Sequence, residues 1–219
     1  MTGFTQELRA VTGMQRFVAA AACLLLAIAP VAHAQEAADR LPEPRIGDDG
    51  LHVQDWFVQS FLDIGEDLET AQAEGKGLVV IFEQAGCPYC REMHQVNLRD
   101  PKIVAAVQEN FDVLQLDLRG SREVTDTDGE ALPERDLARK WGVVFTPTLI
   151  FLAKDADPAG RPANTAVAAT MPGYFKPFHF ASMFDYVASG AHADMHFQDF
   201  INERAARLRE DGEDVHIWD

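Results

Sequence analysis

Cys87 and Cys90 are two thiols separated by two residues, in the run Gly86-Cys87-Pro88-Tyr89-Cys90. The run directly follows the apolar, β-branched stretch Gly77 to Glu83 and precedes a helical stretch through Leu98. A thiol on the opening turn of a helix meets unpaired backbone amides and the positive end of the helix dipole, which stabilise a thiolate and make it nucleophilic. Cys87 holds that position. Pro88 suits the first helical residue, since its φ is already helical and it has no N–H to leave unpaired. Cys90 lies one turn later, turned inward and within disulfide reach. The spacing encodes two steps: Cys87 attacks a substrate disulfide, and Cys90 resolves the mixed disulfide by closing on Cys87.

The same residues admit other readings. A four-thiolate zinc site needs more cysteines than the 3 in the chain, and no second pair exists. A purely structural disulfide closing so small a loop would constrain the unfolded chain little. A soft-metal site for copper on Cys87 and Cys90 would need a third ligand, for which only Met93 and His94 are close in sequence. Dithiol exchange is the reading the strand–helix junction favours.

The surrounding elements follow from periodicity. Phe57, Phe61, Ile64, Leu68 and Ala71 mark a helix ending near Gly75, followed by the buried strand Gly77 to Glu83. Asp100 and Pro101 open a further helix with Ile103, Val104 and Val107 inside, and Phe111 to Leu118 is the next strand. Residues 119–133 are charged and turn-rich and read as an insertion, with Thr127-Asp128-Gly129 reversing two short extended pieces. Then come a short helix (Glu134 to Trp141), a strand (Phe145 to Leu152) with Pro147 near its start, a strand (Ala166 to Met171), and helices carrying Phe180 to Val187 and Phe197 to Leu208. Alternating helices and strands imply an α/β sheet covered by helices.

Composition agrees and sets limits. The 219 residues are 47% apolar, enough for a buried core, and the net charge of −16 repels phosphate backbones and anionic headgroups, so nucleic acid is not an expected partner.

At the N-terminus, Arg9 and Arg16 precede the apolar run Phe17 to Val31, and Ala32-His33-Ala34 follows. That order marks a secretory signal peptide over residues 1–34, with Met14 as an alternative start, and Cys23 leaves with it. The apolar run is shorter than the ~20 residues a permanent membrane anchor needs. Residues 35–50, with Pro42, Pro44 and Asp48-Asp49-Gly50, read as a flexible lead-in to a domain over 51–219. The expected destination is an oxidising compartment, the periplasm in a bacterium.

Val79-Val80-Ile81-Phe82 running into Cys87-Pro88-Tyr89-Cys90, with Lys140-Trp141-Gly142-Val143-Val144-Phe145-Thr146-Pro147-Thr148-Leu149, resembles the thioredoxin superfamily over most of residues 55–190. Glu83 to Cys90 and Arg119 to Asp126 are similar to the SoxW-type periplasmic thioredoxins of sulfur-oxidation systems. The resemblance implies a thioredoxin fold, with a four- or five-stranded mixed sheet flanked by helices on both faces, a cis Thr146–Pro147 peptide facing the sulfurs, and substrate pairing on the Thr146 backbone. It also implies that Pro147 shields the thiols from metals. No cofactor is implied. The implied partners are proteins bearing disulfides, sulfur-carrying proteins among them, and a membrane thiol electron donor. The expected activity is disulfide reduction, with an oxidase or isomerase and a copper-handling chaperone as alternatives.

Two features depart from the thioredoxin pattern. Pro88-Tyr89 is the dipeptide of glutaredoxins, whose potentials run about −200 to −230 mV. Where thioredoxins bury an aspartate the chain has Ile81, and Glu83, two residues on and on the same side of the strand, is a candidate proton handler or else a solvated strand-end carboxylate. His94 reads as solvent-exposed, His192 and His196 as a surface pair, and Trp141 as core or site-rim packing.

Overall fold

The computed structural model describes residues 40–212 and residue 215. The signal peptide expected over residues 1–34, and residues 35–39 of the lead-in, lie outside them. The unit that begins at Leu41 is built on a four-stranded sheet. Strands β1 (Arg45–Ile46) and β2 (His52–Val53) form a small antiparallel pair ahead of helix α1 (Ile64–Ala73). Strand β3 (Gly77–Glu83) leads to helices α2 (Pro88–Val96) and α3 (Pro101–Asn110), then β4 (Phe111–Asp117). A hairpin of β5 (Glu123–Thr125) and β6 (Ala131–Pro133) precedes α4 (Glu134–Lys140). Strands β7 (Thr148–Leu152) and β8 (Ala169–Pro172) and helices α5 (Pro177–Ala188) and α6 (Phe197–Glu210) complete the order. Among the described residues no helix is long and apolar enough to cross a membrane.

The sheet runs β4-β3-β7-β8, with β3 parallel to β4 and antiparallel to β7. Every residue of β3 is buried, which explains its unbroken apolar sequence. The two-residue period of a strand sends its side chains alternately to the two faces. Val79 and Ile81 enter a layer with Met93, Ile103, Val107, Phe180 and Phe184. Leu78, Val80 and Phe82 enter the other, with Ile64, Leu68, Leu137 and Trp141. Phe111, Phe151, Phe180 and Phe184 meet mostly edge to face, with centroids 4.9 to 6.0 Å apart, the arrangement aromatic quadrupoles favour. The expected α/β class, with helices on both faces of a mixed sheet, is the class observed.

Several expectations need correction. The lead-in is folded from Leu41 onward: the Leu41 amide donates to the Arg99 carbonyl at 2.9 Å, and the Arg99 side chain donates back to the Leu41 carbonyl at 2.8 Å. Two prolines and an Asp-Asp-Gly turn describe a tight hairpin here, with Gly50 at φ 81° in the left-handed region. The helix read from Phe57 starts only at Ile64, where the Asp63 carboxylate caps it by accepting from the Glu66 amide. Phe57 belongs to the core from a turn ahead of α1, its amide donating to the Gln54 carbonyl at 3.1 Å, and Phe61 is 99% exposed. The strand read from Phe145 starts at Thr148, leaving Thr146 and Pro147 in a loop, and the strand read from Ala166 starts at Ala169. The 119–133 segment does form two short paired strands, tied to the body through buried Asp126.

Candidate functional site

The site forms where β3 ends and α2 begins. Gly86, at φ 72°, makes the turn that brings Cys87 to the N-cap of α2, and Pro88 occupies the first helical turn. The Cys90 amide donates to Cys87 Sγ at 3.0 Å, so a sulfur takes the capping position usually held by an oxygen. Cys87 and Cys90 are joined in a disulfide with their Cα atoms 5.3 Å apart. Cys90 is fully buried and Cys87 is 5% exposed, so of the two Cys87 is the one that reaches the surface.

The loop before β7 completes the mouth. The Thr146–Pro147 peptide is cis. Thr146 Oγ1 lies 3.4 Å from Cys87 Sγ, placed to donate to it, and the Thr146 carbonyl oxygen lies 3.5 Å from the same sulfur. Pro147 is buried, while Tyr89, Val144 and Phe145 are exposed apolar side chains of the adjoining segments.

Behind the cysteines lies a group the sequence reading missed. His94, expected at the surface, is fully buried. Its Nε2 lies 2.7 Å from Glu83 Oε1, and its Nδ1 lies 3.0 Å from Gln54 Nε2. The solvated alternative for Glu83 is likewise overturned, because the side chain has no exposed area and its Oε2 has no hydrogen-bond partner among the described residues. Glu83 closes β3 on the Ile81 face, the face that α2 covers. His52 stacks on His94, with ring centroids 5.0 Å apart and planes 19° from parallel, and Phe57 closes the same pocket at 6.0 Å from His94. Burial holds the His52 imidazole below its ordinary pKa, His94 adds to this, and Glu83 opposes it.

A signal for His94 was present: Cys90, Met93, His94 and Asn97 follow the i, i+3, i+4, i+7 spacing of one helix face, and all four are buried. No comparable signal marked His52 and Gln54, whose positions depend on the N-terminal segment folding over the sheet. The copper reading on the two sulfurs loses its third ligand, since Met93 packs in the core and the two ring nitrogens of His94 face Glu83 and Gln54. His192 and His196 do not share a helix: His192 lies in a short turn and His196 is the N-cap of α6. Trp141 packs edge-on against Phe82 and donates to Asp126, a core role.

A family model described as a thioredoxin-like domain matches residues 64–188. Among solved structures, a thioredoxin-fold protein from Helicobacter pylori superposes with a TM-score of 0.53 at 17% identity, covering 69% of this chain and 93% of that one. A thioredoxin from Thermus thermophilus is 26% identical, with a TM-score of 0.45 and coverage of 61% and 94%. The C-terminal domain of DsbD from Neisseria meningitidis, in its reduced form, is 20% identical, with a TM-score of 0.40 and coverage of 56% and 91%. Comparison with curated protein sequences gives no match.

Proposed function

Since the chain belongs to the thioredoxin-like domain family, whose members are generally thiol–disulfide oxidoreductases, we propose that it reduces disulfides of partner proteins through Cys87 and Cys90. The observation that carries the reading is the Cys90 amide donating to Cys87 Sγ at the N-cap of α2, with Thr146 at the mouth. In the reduced protein this donor and the helix dipole stabilise a Cys87 thiolate.

The thiolate attacks one sulfur of a substrate disulfide. That S–S bond breaks, and the departing substrate thiolate takes up a proton. Cys90 then loses its proton and attacks Cys87 Sγ, which expels the second substrate thiolate and closes the Cys87–Cys90 disulfide. Two electrons pass to the substrate, and a dithiol donor must return them. Thr146 serves as backbone platform for an extended substrate chain, with Pro147 fixing the loop. Tyr89, Val144 and Phe145 offer apolar contact to residues flanking the substrate cysteine.

The periplasm is the proposed location, and a membrane thiol carrier the proposed donor, on the strength of the N-terminal charged, apolar and small-residue order. The likeness to SoxW-type proteins makes sulfur-carrying proteins the proposed substrates. Insulin reduction tests the activity: Cys87→Ser and Cys90→Ser should each abolish turnover, and full activity of Cys87→Ser would overturn the mechanism. Equilibration with a glutathione buffer tests direction, a potential near −120 mV favouring an oxidase and one below about −200 mV a reductase.

A further inference from the structure

We propose that His52, Glu83 and His94 form a binding site for a borderline divalent cation of the zinc(II) class, separate from the cysteine pair. The three side chains come from β2, the end of β3 and α2, and one ligand atom from each lies within 4.8 Å of the other two. Glu83 and His94 are fully buried, while His52 is only partly buried and borders solvent.

The Glu83 carboxylate points to a ligand. Oε1 meets His94, but Oε2 is buried with no hydrogen-bond partner among the described residues. An unsatisfied buried acceptor carries its full desolvation penalty, larger when it is charged. A cation satisfies the oxygen directly. Two imidazoles and one carboxylate are a donor set that suits zinc, with the remaining coordination position left to water.

The surroundings allow His94 to ligate without a net change of charge. As oriented, Gln54 Nε2 donates to His94 Nδ1, so the neutral ring carries its proton on Nε2 and donates it to Glu83. Rotating the Gln54 amide by a half-turn presents its oxygen instead. The ring proton then resides on Nδ1, and the Nε2 lone pair faces the cation. A hydrogen bond from the non-ligating ring nitrogen is the usual support for a metal-bound histidine. Donor atoms around zinc stand about 3.3 Å from one another, given metal–ligand distances near 2.0–2.1 Å, so the set must contract. His52 is the ligand free to move inward, at the solvent edge of a two-residue strand whose carbonyl is held by Gln115 Nε2 at 2.9 Å.

The test uses the oxidised protein, in which the disulfide removes both thiols as ligands. Zinc(II) is titrated by calorimetry in competition with a chelator, and cobalt(II) gives an independent spectrum. The expected result is one ion per chain, with cobalt d–d bands and no sulfur charge-transfer band. Glu83→Gln should lower affinity at least about 100-fold, and Gln54→Leu about 10-fold or more. His52→Ala, a change at the solvent edge that leaves the core intact, should lower affinity about 10-fold or more even if Glu83→Gln fails to fold. His196→Ala, at the exposed cap of α6, should change nothing.

The inference is overturned by no saturable binding, or by binding that His52→Ala leaves unaltered. It is equally overturned if the ion is not bound and Glu83→Gln instead shifts the pH profile of insulin reduction, which would make the carboxylate a proton handler. Because the thiols are silent in the titration, the two binding outcomes do not bear on the dithiol reaction.

Discussion

Cys87 Sγ accepts the Cys90 backbone N–H at 3.0 Å, so the resolving residue's own amide caps the attacking sulfur. Charge-assisted bonds of this kind are roughly twice as strong as neutral ones, and the dipole of α2 acts in the same direction. The reduced protein should therefore show a Cys87 thiol titrating below the ordinary value of about 8.5. Ultraviolet thiolate absorbance followed against pH, in the Cys90→Ser variant so that one thiol is observed, measures it. A value at or above 8.5 would remove the physical basis for Cys87 as nucleophile.

Thr146 touches the same sulfur through its hydroxyl, 3.4 Å away. Thr146→Val keeps the shape of the loop and deletes that donor. A hydroxyl-to-sulfur contact of this length is weaker than an ordinary hydrogen bond, so the loss in kcat/KM for insulin reduction should stay under tenfold, about 1.4 kcal/mol. The loss should fall mainly in kcat if the hydroxyl assists the thiolate as it attacks, and mainly in KM if it only contacts substrate.

The redox pair was legible because its meaning is local: a strand, two cysteines and a proline at the first helical position fix the geometry within a few residues. The unbroken apolar run of β3 was legible for the same reason. What escaped was set by contacts distant in sequence. Phe57 falls on helical spacing with Phe61 and Ile64, yet it sits in a turn closed by its own amide on the Gln54 carbonyl and tied to β4 by the Val58 amide bonding to the Val113 carbonyl at 2.9 Å. His94 looked like a surface residue because its cover, His52 and Gln54, comes from about forty residues upstream, just past the stretch whose prolines and acidic residues suggested a linker. A polar side chain on an inward helix face is legible as buried only once its partners are known.

Asp126 holds the 119–133 hairpin onto the body. Its buried carboxylate accepts from Trp141 Nε1 and from the Ala163 amide, each at 2.9 Å, and pairs with Lys140 Nζ at 2.9 Å. Asp126→Ala strands two buried donors and should lower stability by about 2–4 kcal/mol, read as a reduced urea midpoint at unchanged slope. Glu130→Ala removes a half-exposed partner of the same lysine and should change the midpoint little. Equal effects of the two would show that the hairpin is held by surface charge instead of the buried carboxylate.

Asp67, partly buried on α1, accepts from the Ser60 hydroxyl at 2.5 Å. Burial pushes its pKa above the usual 3.8, with the Ser60 bond opposing and the charge of Asp63 reinforcing. The folded state thus holds this proton more tightly than the unfolded chain does. Asp67 favours folding below 3.8, and that contribution is lost as pH rises through the elevated folded value, leaving a penalty at neutral pH. Asp67→Asn keeps an acceptor for Ser60 and removes the charge. It should raise stability at pH 7 by a few tenths of a kcal/mol, the small size reflecting solvent screening of a partly exposed group. The gain should vanish near pH 3.5. Urea titrations of both proteins at the two pH values measure the difference, and an equal or larger gain at the lower pH would place the strain elsewhere than on the Asp67 carboxylate.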